Sequence, residues 1–581
     1  MSSAAPSVDR FQKRAGAVLL SVAMILLLGL GGRVVYINTV LRDRLNGIAE
    51  RQQQGGSVIA ARRGMILDSR GRVVAATERR PDVFVDPARL ENVDEFVRKL
   101  SPRVNMPAAE IAEKIRRRPQ SRFIIIASGV DDITAEAVRA LRDPAVDLYE
   151  RSVRSYPLAD STAHVLGWVG SDGAGLEGIE SALEGHLRGK DGWRGTIRDA
   201  RRRALRRSDE ELIPPTDGGH VVLTIDSEIQ RIAERALAES VEKVEAENGI
   251  AIVMSPQTGE ILAMACYPTF DPGEPASVAT EVRRNRAVTD PVEPGSTFKP
   301  FILCGALEGS HISTTELIDC HMGTRTIGSR TITDVKPHGM MDVKGIITHS
   351  SNIGMSMIAD RMGNAVLHDT MRRFRFGTKT GVECPGEADG RVYPLKRWSK
   401  LSTASVGMGY EVMVTPLQLI NGFAAIINDG VMLRPRIVKR TLGAGGEVLQ
   451  EFGSPQVVAR VVSSEVARYV AGELLVSVVE NGSGRGAKLE HYSVLGKTGT
   501  AKLTYKDRKE YEPGAYLGTF VGAAPADRPA LVAMVMIRRP NPKLAYYGSA
   551  VAAPAVGEIL GQALPYLGVP SDKDNLAAAT P

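Results

Sequence analysis

An uninterrupted apolar run near the N-terminus constrains this chain more than any other feature of its sequence. Eighteen consecutive uncharged residues, 15–32, lie between Arg14 and Arg33. As an α-helix they would span about 27 Å, close to the ~30 Å hydrocarbon core of a bilayer. Apolar residues at 34, 35 and 37 extend the run if Arg33 reaches back to the interface. The sequence therefore predicts a transmembrane anchor over 15–37, preceded by a short tail of residues 1–14.

A cleaved signal peptide is the alternative interpretation of the same run. The run is long for a signal peptide, and no small-residue cleavage site of the A-x-A kind follows Gly32. An uncleaved anchor is therefore favoured. Basic residues flank the run on both sides, so the positive-inside rule does not orient it.

Composition narrows the class of protein. The chain has 581 residues, which suggests several modules, and its 73 basic and 67 acidic residues leave a net charge of only +6. Such a balance does not indicate a nucleic-acid partner. Four widely spaced cysteines form no CxxC pair and the histidines form no HExxH motif, so we expect neither a metal nor another cofactor.

The pattern after the anchor divides into two parts. Residues 38–220 are strongly basic and mixed in pattern, with arginine clusters at 116–118 and 201–207 that we interpret as solvated surface. The segment 213–219 carries two prolines and two glycines and reads as a linker. We therefore predict an elongated, mixed N-terminal pedestal over 38–220, a second domain over 221–568 and a flexible tail over 569–581.

The second domain shows strands at both ends and helices between them. A helix capped by Asp226 is followed by a predicted hairpin of the apolar runs 250–254 and 260–265. A late strand pair is predicted at 517–522 and 531–537, and helical patterns such as 415–427 lie between. This order predicts an α+β domain with an antiparallel sheet.

Two Ser-x-x-Lys motifs could supply a nucleophile and its base, because residues three apart share one face of a helix. Ser240-Val-Glu-Lys243 lies inside the helix that Asp226 caps, where no helix-terminal amides are free, and we interpret it as surface. Ser296-Thr-Phe-Lys299 opens an apolar helix, which places Ser296 at the positive end of the helix dipole. Ser296 is therefore the candidate nucleophile, although taken alone this motif fits a capping serine better.

Two further motifs follow in order. Ser350-Ser-Asn352 precedes a helical pattern, and Lys497-Thr-Gly499 runs into Thr500 beside the late strand pair. A second Lys-Thr-Gly, at 379–381, sits in a glycine-interrupted segment that we interpret as a loop.

Ser-x-x-Lys, Ser-x-Asn and Lys-Thr-Gly, in this order within one α+β domain, resemble the motif set of the penicillin-binding and serine β-lactamase superfamily. Arg63-Gly-Met-Ile-Leu-Asp68, Arg154-Ser-Tyr-Pro157 and Gly175-Leu-Glu-Gly-Ile-Glu180 are similar to the N-terminal motifs of its class B transpeptidases. The sequences around Ser296, Ser350 and Val414 are more similar to the division-type (FtsI-like) members than to the elongation type.

The resemblance implies a peptidoglycan D,D-transpeptidase that β-lactams inhibit. It implies that Ser296 attacks the bond between the two terminal D-alanines of a stem peptide, with Lys299 as general base. Ser350 and Asn352 would relay the proton and position the substrate.

The resemblance also assigns the last motif. Lys497, Thr498, Gly499 and Thr500 would form the substrate-binding strand, with Lys497 part of the catalytic group. The backbone amides of Ser296 and Thr500 would form an oxyanion hole. Burial and the neighbouring Lys497 cation should lower the pKa of Lys299.

The resemblance further implies partners and a location. Stem peptides ending in D-Ala-D-Ala, β-lactams, the membrane, a SEDS-family (FtsW-type) glycosyltransferase and other division proteins are the expected partners, with no nucleic acid. The N-terminus would be cytoplasmic, and the catalytic domain would lie outside the inner membrane. An elongation-type transpeptidase, a hydrolase and a β-lactam-sensing or catalytically idle protein are the alternatives.

Overall fold

The computed structural model describes residues 7–42, 54–198, 204–505, 507 and 510–574. Residues 1–6 of the predicted tail, arginines 201–203 and the C-terminal residues 575–581 lie outside the described residues. Two compact units make up the described chain. The first contains described residues of Met1–Ala61 and Lys190–Asp217, and the second those of Arg62–Gly189 and Gly218–Pro581.

The α-helices are labelled in chain order. They are α1 (Ser7–Thr39), α2 (Val93–Val104), α3 (Ala108–Arg117), α4 (Asp132–Arg139), α5 (Ala163–Leu166), α6 (Gly178–Ala182), α7 (Glu184–Leu187), α8 (Ser227–Lys243), α9 (Thr280–Arg283), α10 (Arg286–Thr289), α11 (Lys299–Glu308), α12 (Val343–Thr348), α13 (Asn352–Arg373), α14 (Ser402–Gly407), α15 (Pro416–Ile427), α16 (Ser464–Tyr469), α17 (Val476–Glu480), α18 (Gly548–Val551) and α19 (Ala553–Tyr566).

The strands are labelled in the same way. They are β1 (Gln54–Ile59), β2 (Ile66–Leu67), β3 (Val73–Val85), β4 (Ile124–Ala127), β5 (Val146–Ser155), β6 (Gly192–Arg198), β7 (Ala204–Ile213), β8 (His220–Leu223), β9 (Asn248–Met254), β10 (Ile261–Tyr267), β11 (Ile318–Asp319), β12 (Thr324–Ile327), β13 (Arg330–Thr333), β14 (Met340–Met341), β15 (Arg391–Val392), β16 (Val412–Met413), β17 (Val431–Leu433), β18 (Val438–Leu442), β19 (Val448–Glu451), β20 (Val457–Arg460), β21 (Leu495–Thr504), β22 (Tyr511–Ala524) and β23 (Leu531–Arg538).

The first unit contains the apolar helix and a small sheet. Within α1, Gln12–Thr39 is long and apolar enough to cross a membrane, and its apolar residues are exposed. Strands β1, β6 and β7 form an antiparallel sheet in that order. The predicted helix is confirmed, and it fits a single-pass membrane protein.

A five-stranded antiparallel sheet forms the centre of the second unit, in the order β10-β9-β23-β22-β21. The predicted early hairpin is β10 and β9, and the predicted late pair is β22 and β23. Both are confirmed, and β23 joins them because it pairs with β9 as well as with β22. Strand β21, which carries the second Lys-Thr-Gly, lies at the edge of this sheet.

Both faces of this sheet are buried. In β9, residues 250, 252 and 254 belong to one hydrophobic core, and 251 and 253 to another. Helices α8 and α19 cover the second face, while α11, α13 and α15 contribute to the core on the first. Successive side chains of a strand point to opposite faces, so a strand buried on both sides is a continuous apolar run. The result is an α+β architecture, as predicted.

A second sheet runs β19-β18-β8-β2-β3-β4, and β5 also pairs with β3. Strand β8 lies between β2 and β18, so residues on both sides of position 220 share one sheet. The short β2 and the start of β3 form a hairpin around Gly71. The division of the chain at 220 stays a prediction.

A buried ion-pair network joins three N-terminal motifs that are far apart in sequence. Arg63 donates from Nε to Glu180 Oε2 at 2.6 Å, and Arg154 donates from Nε to Glu180 Oε1 at 2.7 Å. Glu180 is fully buried, and the side chains of Arg63 and Arg154 are 7% and 3% exposed. Arg63 also pairs with Glu184 at 2.6 Å. Each of the three motifs therefore supplies one charge to a single cluster.

A second network attaches the β2–β3 turn to the start of α8. Asp226 caps α8 by accepting from the backbone N–H of Glu228 at 3.0 Å. Its carboxylate also accepts from Arg70 and Arg72, both at 2.7 Å. Tyr566 of α19 donates to Asp226 at 3.0 Å. These bonds to the charged form hold the pKa of Asp226 below its usual value although burial opposes this.

We predict that Glu180→Gln weakens the region around the first network, because it leaves the buried Arg154 guanidinium without a carboxylate and Arg63 with Glu184 alone. Breaking a buried ion pair from one side costs about 3–5 kcal/mol. Amide hydrogen exchange in β2 and α6 should show a loss of this size in the free energy of opening.

Glu136→Gln is the matched control. Glu136 pairs with Arg139 on α4, and both side chains are more than half exposed. Exposed pairs contribute roughly 0–1 kcal/mol, so this variant should leave exchange nearly unchanged. Equal effects of the two variants would contradict the structural role given to Glu180.

Candidate active site

Ser296 lies in a tight turn that leads into α11. The turn is a 3-10 helix, Gly295–Phe298, and it ends where α11 begins at Lys299. Gly295 has a φ of +54° and donates its N–H to Gly409 O at 3.0 Å. Ser296 itself is half-buried, between buried neighbours. The serine therefore sits one tight turn before the α-helix that the sequence predicted it to open.

Lys299 is fully buried and joins the first motif to the second. Its Nζ donates to Ser350 O at 2.6 Å, to Asn352 Oδ1 at 2.9 Å and to Ser350 Oγ at 3.2 Å. Ser350 has a φ of +56°, and α13 begins two residues later at Asn352. The left-handed backbone at Ser350 thus turns both its carbonyl and its hydroxyl toward the ammonium.

Lys497 reaches the same hydroxyl from the edge strand. It is fully buried in β21, and its Nζ donates to Ser350 Oγ at 3.0 Å and to Thr498 O at 2.9 Å. The hydroxyl of Ser350 therefore lies within hydrogen-bond distance of two buried lysines, one from each side. The structure brings Lys299, Ser350, Asn352 and Lys497 together.

The rest of the third motif lies against the Ser296 turn. A Cβ on Gly499 would come within 2.8 Å of Thr297 Cγ2, so only glycine allows this approach. The Thr498 hydroxyl lies 2.5 Å from Ser483 Oγ, and the Thr500 hydroxyl accepts from Gly548 N at 3.1 Å. The edge strand and the turn thus form two walls of one site.

The charges of the two lysines are disfavoured by burial. Desolvation is the largest cause acting on Lys299 and lowers its pKa to about 7, while the charge of Asp334 acts in the opposite direction. Desolvation also lowers the pKa of Lys497 well below its usual value, and the neighbouring Lys299 adds to the shift. The pKa of Lys299 is lowered, as the sequence analysis expected. The cause is burial, and the charge of Lys497 does not contribute to it.

Asp334 is a functional residue that sequence reasoning missed. Its carboxylate accepts from Ser351 Oγ at 2.5 Å, from Ile353 N at 3.2 Å and from Asn352 N. It satisfies the first amides of α13 and so fixes the Ser-x-Asn motif. It follows β13, well upstream of the motif, and only tertiary folding makes this contact. The sequence signal available was weak, an acidic residue after a short strand.

The two other motif copies lie elsewhere. Ser240, on α8, donates its hydroxyl to Val551 O of α18, and Lys243 is exposed at the end of α8. Residues 379–381 form a loop, as predicted. Neither copy shares a contact with the site built around Ser350.

Within the described ranges no group of three or more metal-ligating side chains exists. The four cysteines are buried and free of disulfides.

The site combines three features: a serine in a tight turn, a second serine hydroxyl that two buried lysines contact, and an edge strand beside them. Together they define a class of site. The class is the active-serine acyltransferase site of the penicillin-binding and serine β-lactamase superfamily. Comparison with known proteins identifies the family.

Two family models match this chain. Residues 249–561 match the penicillin binding protein transpeptidase domain, and residues 58–223 match the penicillin-binding protein dimerisation domain. A relative named probable peptidoglycan D,D-transpeptidase PenA, from Neisseria meningitidis, is 32% identical over 570 residues. The match covers 97% of this chain and 95% of PenA. Another relative, peptidoglycan D,D-transpeptidase FtsI of Escherichia coli, is 31% identical over 572 residues, which is 97% of this chain and 92% of FtsI.

A solved structure shows the same fold. Penicillin binding protein 3 from Mycobacterium tuberculosis, complexed with aztreonam, superposes with a TM-score of 0.69 at 28% identity. The alignment covers 89% of this chain and 98% of that one. The chain belongs to the penicillin-binding protein transpeptidase family, and its two-domain make-up is of the class B, FtsI-like kind.

We predict that Lys299 titrates near pH 7 in the folded protein, because burial lowers its pKa to about 7. The carboxylate of Asp334 raises that pKa, so Asp334→Asn should move it further down. Lysine side-chain NMR as a function of pH measures the pKa of Lys299 in the wild type and in Asp334→Asn. The Lys299→Met variant assigns the signal.

Asp369→Asn is the control for this titration. Asp369 lies at the far end of α13 and pairs with Arg373 at 3.1 Å. It should leave the Lys299 titration in place. A Lys299 signal that titrates above pH 10 would refute the effect of burial.

Proposed function

We propose that this chain is a peptidoglycan D,D-transpeptidase that cross-links stem peptides through an acyl-enzyme on Ser296. The observation that carries the proposal is the convergence of Lys299 and Lys497 on the Ser350 hydroxyl beside the Ser296 turn. The relatives' names and the family models support the same activity.

In the first step, Ser296 Oγ attacks the carbonyl carbon of the penultimate D-alanine. Lys299 takes the hydroxyl proton, which requires a neutral amine. A pKa of about 7 leaves roughly half of the amines neutral at pH 7. The C–O bond to Ser296 forms, the amide C–N bond breaks, and the terminal D-alanine leaves after its nitrogen takes a proton. The Ser350 hydroxyl, which both lysines contact, relays that proton.

The substrate carboxylate is held at the third motif. Lys497, Thr498 and Thr500 supply an ammonium and two hydroxyls along an edge strand, with Gly499 giving the close approach to the turn. The backbone amides of Ser296 and Thr500 form the oxyanion hole for the tetrahedral intermediate. Asn352 holds Lys299 and positions the substrate amide.

In the second step, an amine of a neighbouring stem peptide attacks the acyl-enzyme. The new amide bond is the cross-link, and Ser296 regains its proton. A β-lactam acylates the same serine and stays bound, since its leaving group remains attached to the acyl moiety.

We assign the enzyme to cell division, with a SEDS-family (FtsW-type) glycosyltransferase and other division proteins as partners. The support is the similarity of the segments around Ser296, Ser350 and Val414 to division-type sequences and the relative named FtsI. The elongation-type transpeptidase remains the second candidate. Depletion of the protein from cells distinguishes the two roles. We expect filaments with blocked septa for the division role and rounded cells for the elongation role.

We predict that Ser296→Ala abolishes covalent labelling of membranes by a fluorescent penicillin, because the acylated hydroxyl is gone. Ser240→Ala is the matched control and should label like the wild type. Ser240 lies in α8, which covers the face of the central sheet opposite to α11. Label retained by the Ser296 variant would reject the site.

A cross-linking assay with a glycan-polymerising partner then distinguishes the kinds of acylating protein. The transpeptidase joins two stem peptides and releases D-alanine. A hydrolase releases D-alanine without joining them, and a sensor acylates without turnover. Either of the last two results would overturn the proposed reaction while leaving Ser296 as the nucleophile.

We place the N-terminus in the cytoplasm and the catalytic domain outside the inner membrane, because peptidoglycan lies there. Native cysteines give little background, since all four are buried. A cysteine introduced at exposed Lys243 should react in intact cells, after outer-membrane permeabilisation, with a maleimide that cannot cross the inner membrane. Labelling only after cell lysis would show that the catalytic domain lies in the cytoplasm and would contradict the proposed orientation.

A further inference from the structure

A cavity of about 270 Å³ lies outside the acyl-transfer site. None of its lining residues belongs to the three motifs around Ser350. Its walls come from the end of α13, the 378–381 loop, helix α15 and the segment after β17. The first Lys-Thr-Gly copy, which the proposed reaction does not use, forms one of these walls.

Three cations surround the cavity. Arg375 and Lys379 are exposed, and within the described chain neither side chain makes an ion pair or a hydrogen bond. Arg434 directs its Nε to Gly381 O at 2.9 Å and has no acidic partner in the same residues. The charge at this cavity is therefore uncompensated by carboxylates on its own lining.

A buried amide forms part of the cavity lining. Asn421 on α15 is only 5% exposed and lines the cavity. Its side chain has no hydrogen-bond partner among the described residues. The amide atoms are not sealed inside the protein but open into the cavity, where they can donate to or accept from a polar occupant. Exposed cations are common on protein surfaces and do not by themselves indicate a binding site. The largely buried amide of Asn421 in the same cavity is the second observation that does.

The loop that forms one wall is held in place by its own contacts. Glu387, which is buried, accepts from Thr380 N and Thr380 Oγ1 at 2.6 Å and from Gly381 N at 3.0 Å. Gln418 of α15 donates to Thr378 O at 2.7 Å. A binding surface that is ordered beforehand loses less entropy when a ligand arrives. The carboxylate of Glu387 is used by these loop bonds, and Glu387 is not part of the lining.

We propose that this cavity binds a phosphate or diphosphate group. Guanidinium groups match phosphate oxygens in geometry and bind them with charge-assisted hydrogen bonds. Three uncompensated cations around one cavity favour a multiply charged anion over a single carboxylate. The Asn421 amide supplies a neutral donor to a further oxygen. The volume accommodates a small phosphorylated group.

Titration of the full-length protein with pyrophosphate, followed by calorimetry at low salt, tests the proposal. Arg375→Gln/Lys379→Gln should weaken binding at least about tenfold, because it removes two charge-assisted contacts. Asn421→Leu should also weaken it, since the leucine keeps the volume but removes the amide. Penicillin labelling at Ser296 verifies that each variant is folded, and it does not depend on phosphate.

Arg98→Gln/Lys243→Gln is the control with the same change in net charge. These residues lie on α2 and α8, neither of which lines the cavity. This variant should bind pyrophosphate like the wild type. Equal weakening by both double variants would overturn the proposal, because it would show general charge attraction and no specific site. A wild-type protein that does not bind pyrophosphate at millimolar concentration would also overturn it. If Asn421→Leu fails to label, the two double variants decide alone.

A second arm identifies the source of the phosphate. Inorganic phosphate represents a terminal group, and dimethyl phosphate represents a diester such as a polymer linkage or lipid headgroup. Binding of both, with the same loss in Arg375→Gln/Lys379→Gln, supports a diester source. Binding of inorganic phosphate alone supports a terminal phosphate. The proposal is independent of the acyl-transfer reaction, because the two sites share no residue.

Discussion

The site depends on two lysine side chains that share one hydroxyl in a water-poor environment. Lys299 comes from a helix and Lys497 from an edge strand, and both reach Ser350 Oγ. Two cations so close to each other and so deeply buried cannot both stay charged without a large cost. Burial lowers the pKa of both lysines, and the charge of Lys299 adds to the shift of Lys497, so at least one amine is available to accept a proton. Asp334 limits this effect on Lys299, because its charge favours the protonated form.

The scaffold must hold these groups against that electrostatic cost. Lys497 is fixed in a strand whose neighbour β22 is an inner strand of the sheet and is buried along most of its length. Lys299 is fixed because α11 packs within the large core beneath the Ser296 turn. Phe298 and Phe301 pack against Phe376 with ring centroids 5.0 Å apart in each pair. The aromatic packing therefore anchors the nucleophile turn from below, while glycines at 295, 409 and 499 let backbone segments approach it from the side.

Local patterns in the sequence predicted much of the fold. The apolar run predicted α1, the cap at Asp226 predicted α8, and two hairpin patterns predicted four of the five strands in the central sheet. These elements depend on near neighbours in sequence: a capping side chain, a turn residue, or alternation of apolar positions. The order of pairing was not predictable in this way, since nearly 280 residues of chain separate β9 from its partner β23. The same holds for β8, which pairs with β2 and β18 across the predicted boundary at 220.

The chemical groups of the site and their order can be read from the sequence, because Ser296, Ser350 and Lys497 each stand in a recognisable motif. The sequence could also separate Ser240 from Ser296, since the start of a helix and its interior differ in free backbone amides. Which of these groups come into contact depends on the tertiary fold. The contact of both lysines with Ser350, the role of Asp334, and the joining of Arg63, Arg154 and Glu180 all involve residues from different elements. Such contacts arise when hydrophobic faces pack and bring distant segments together, and no periodicity along the chain encodes those distances.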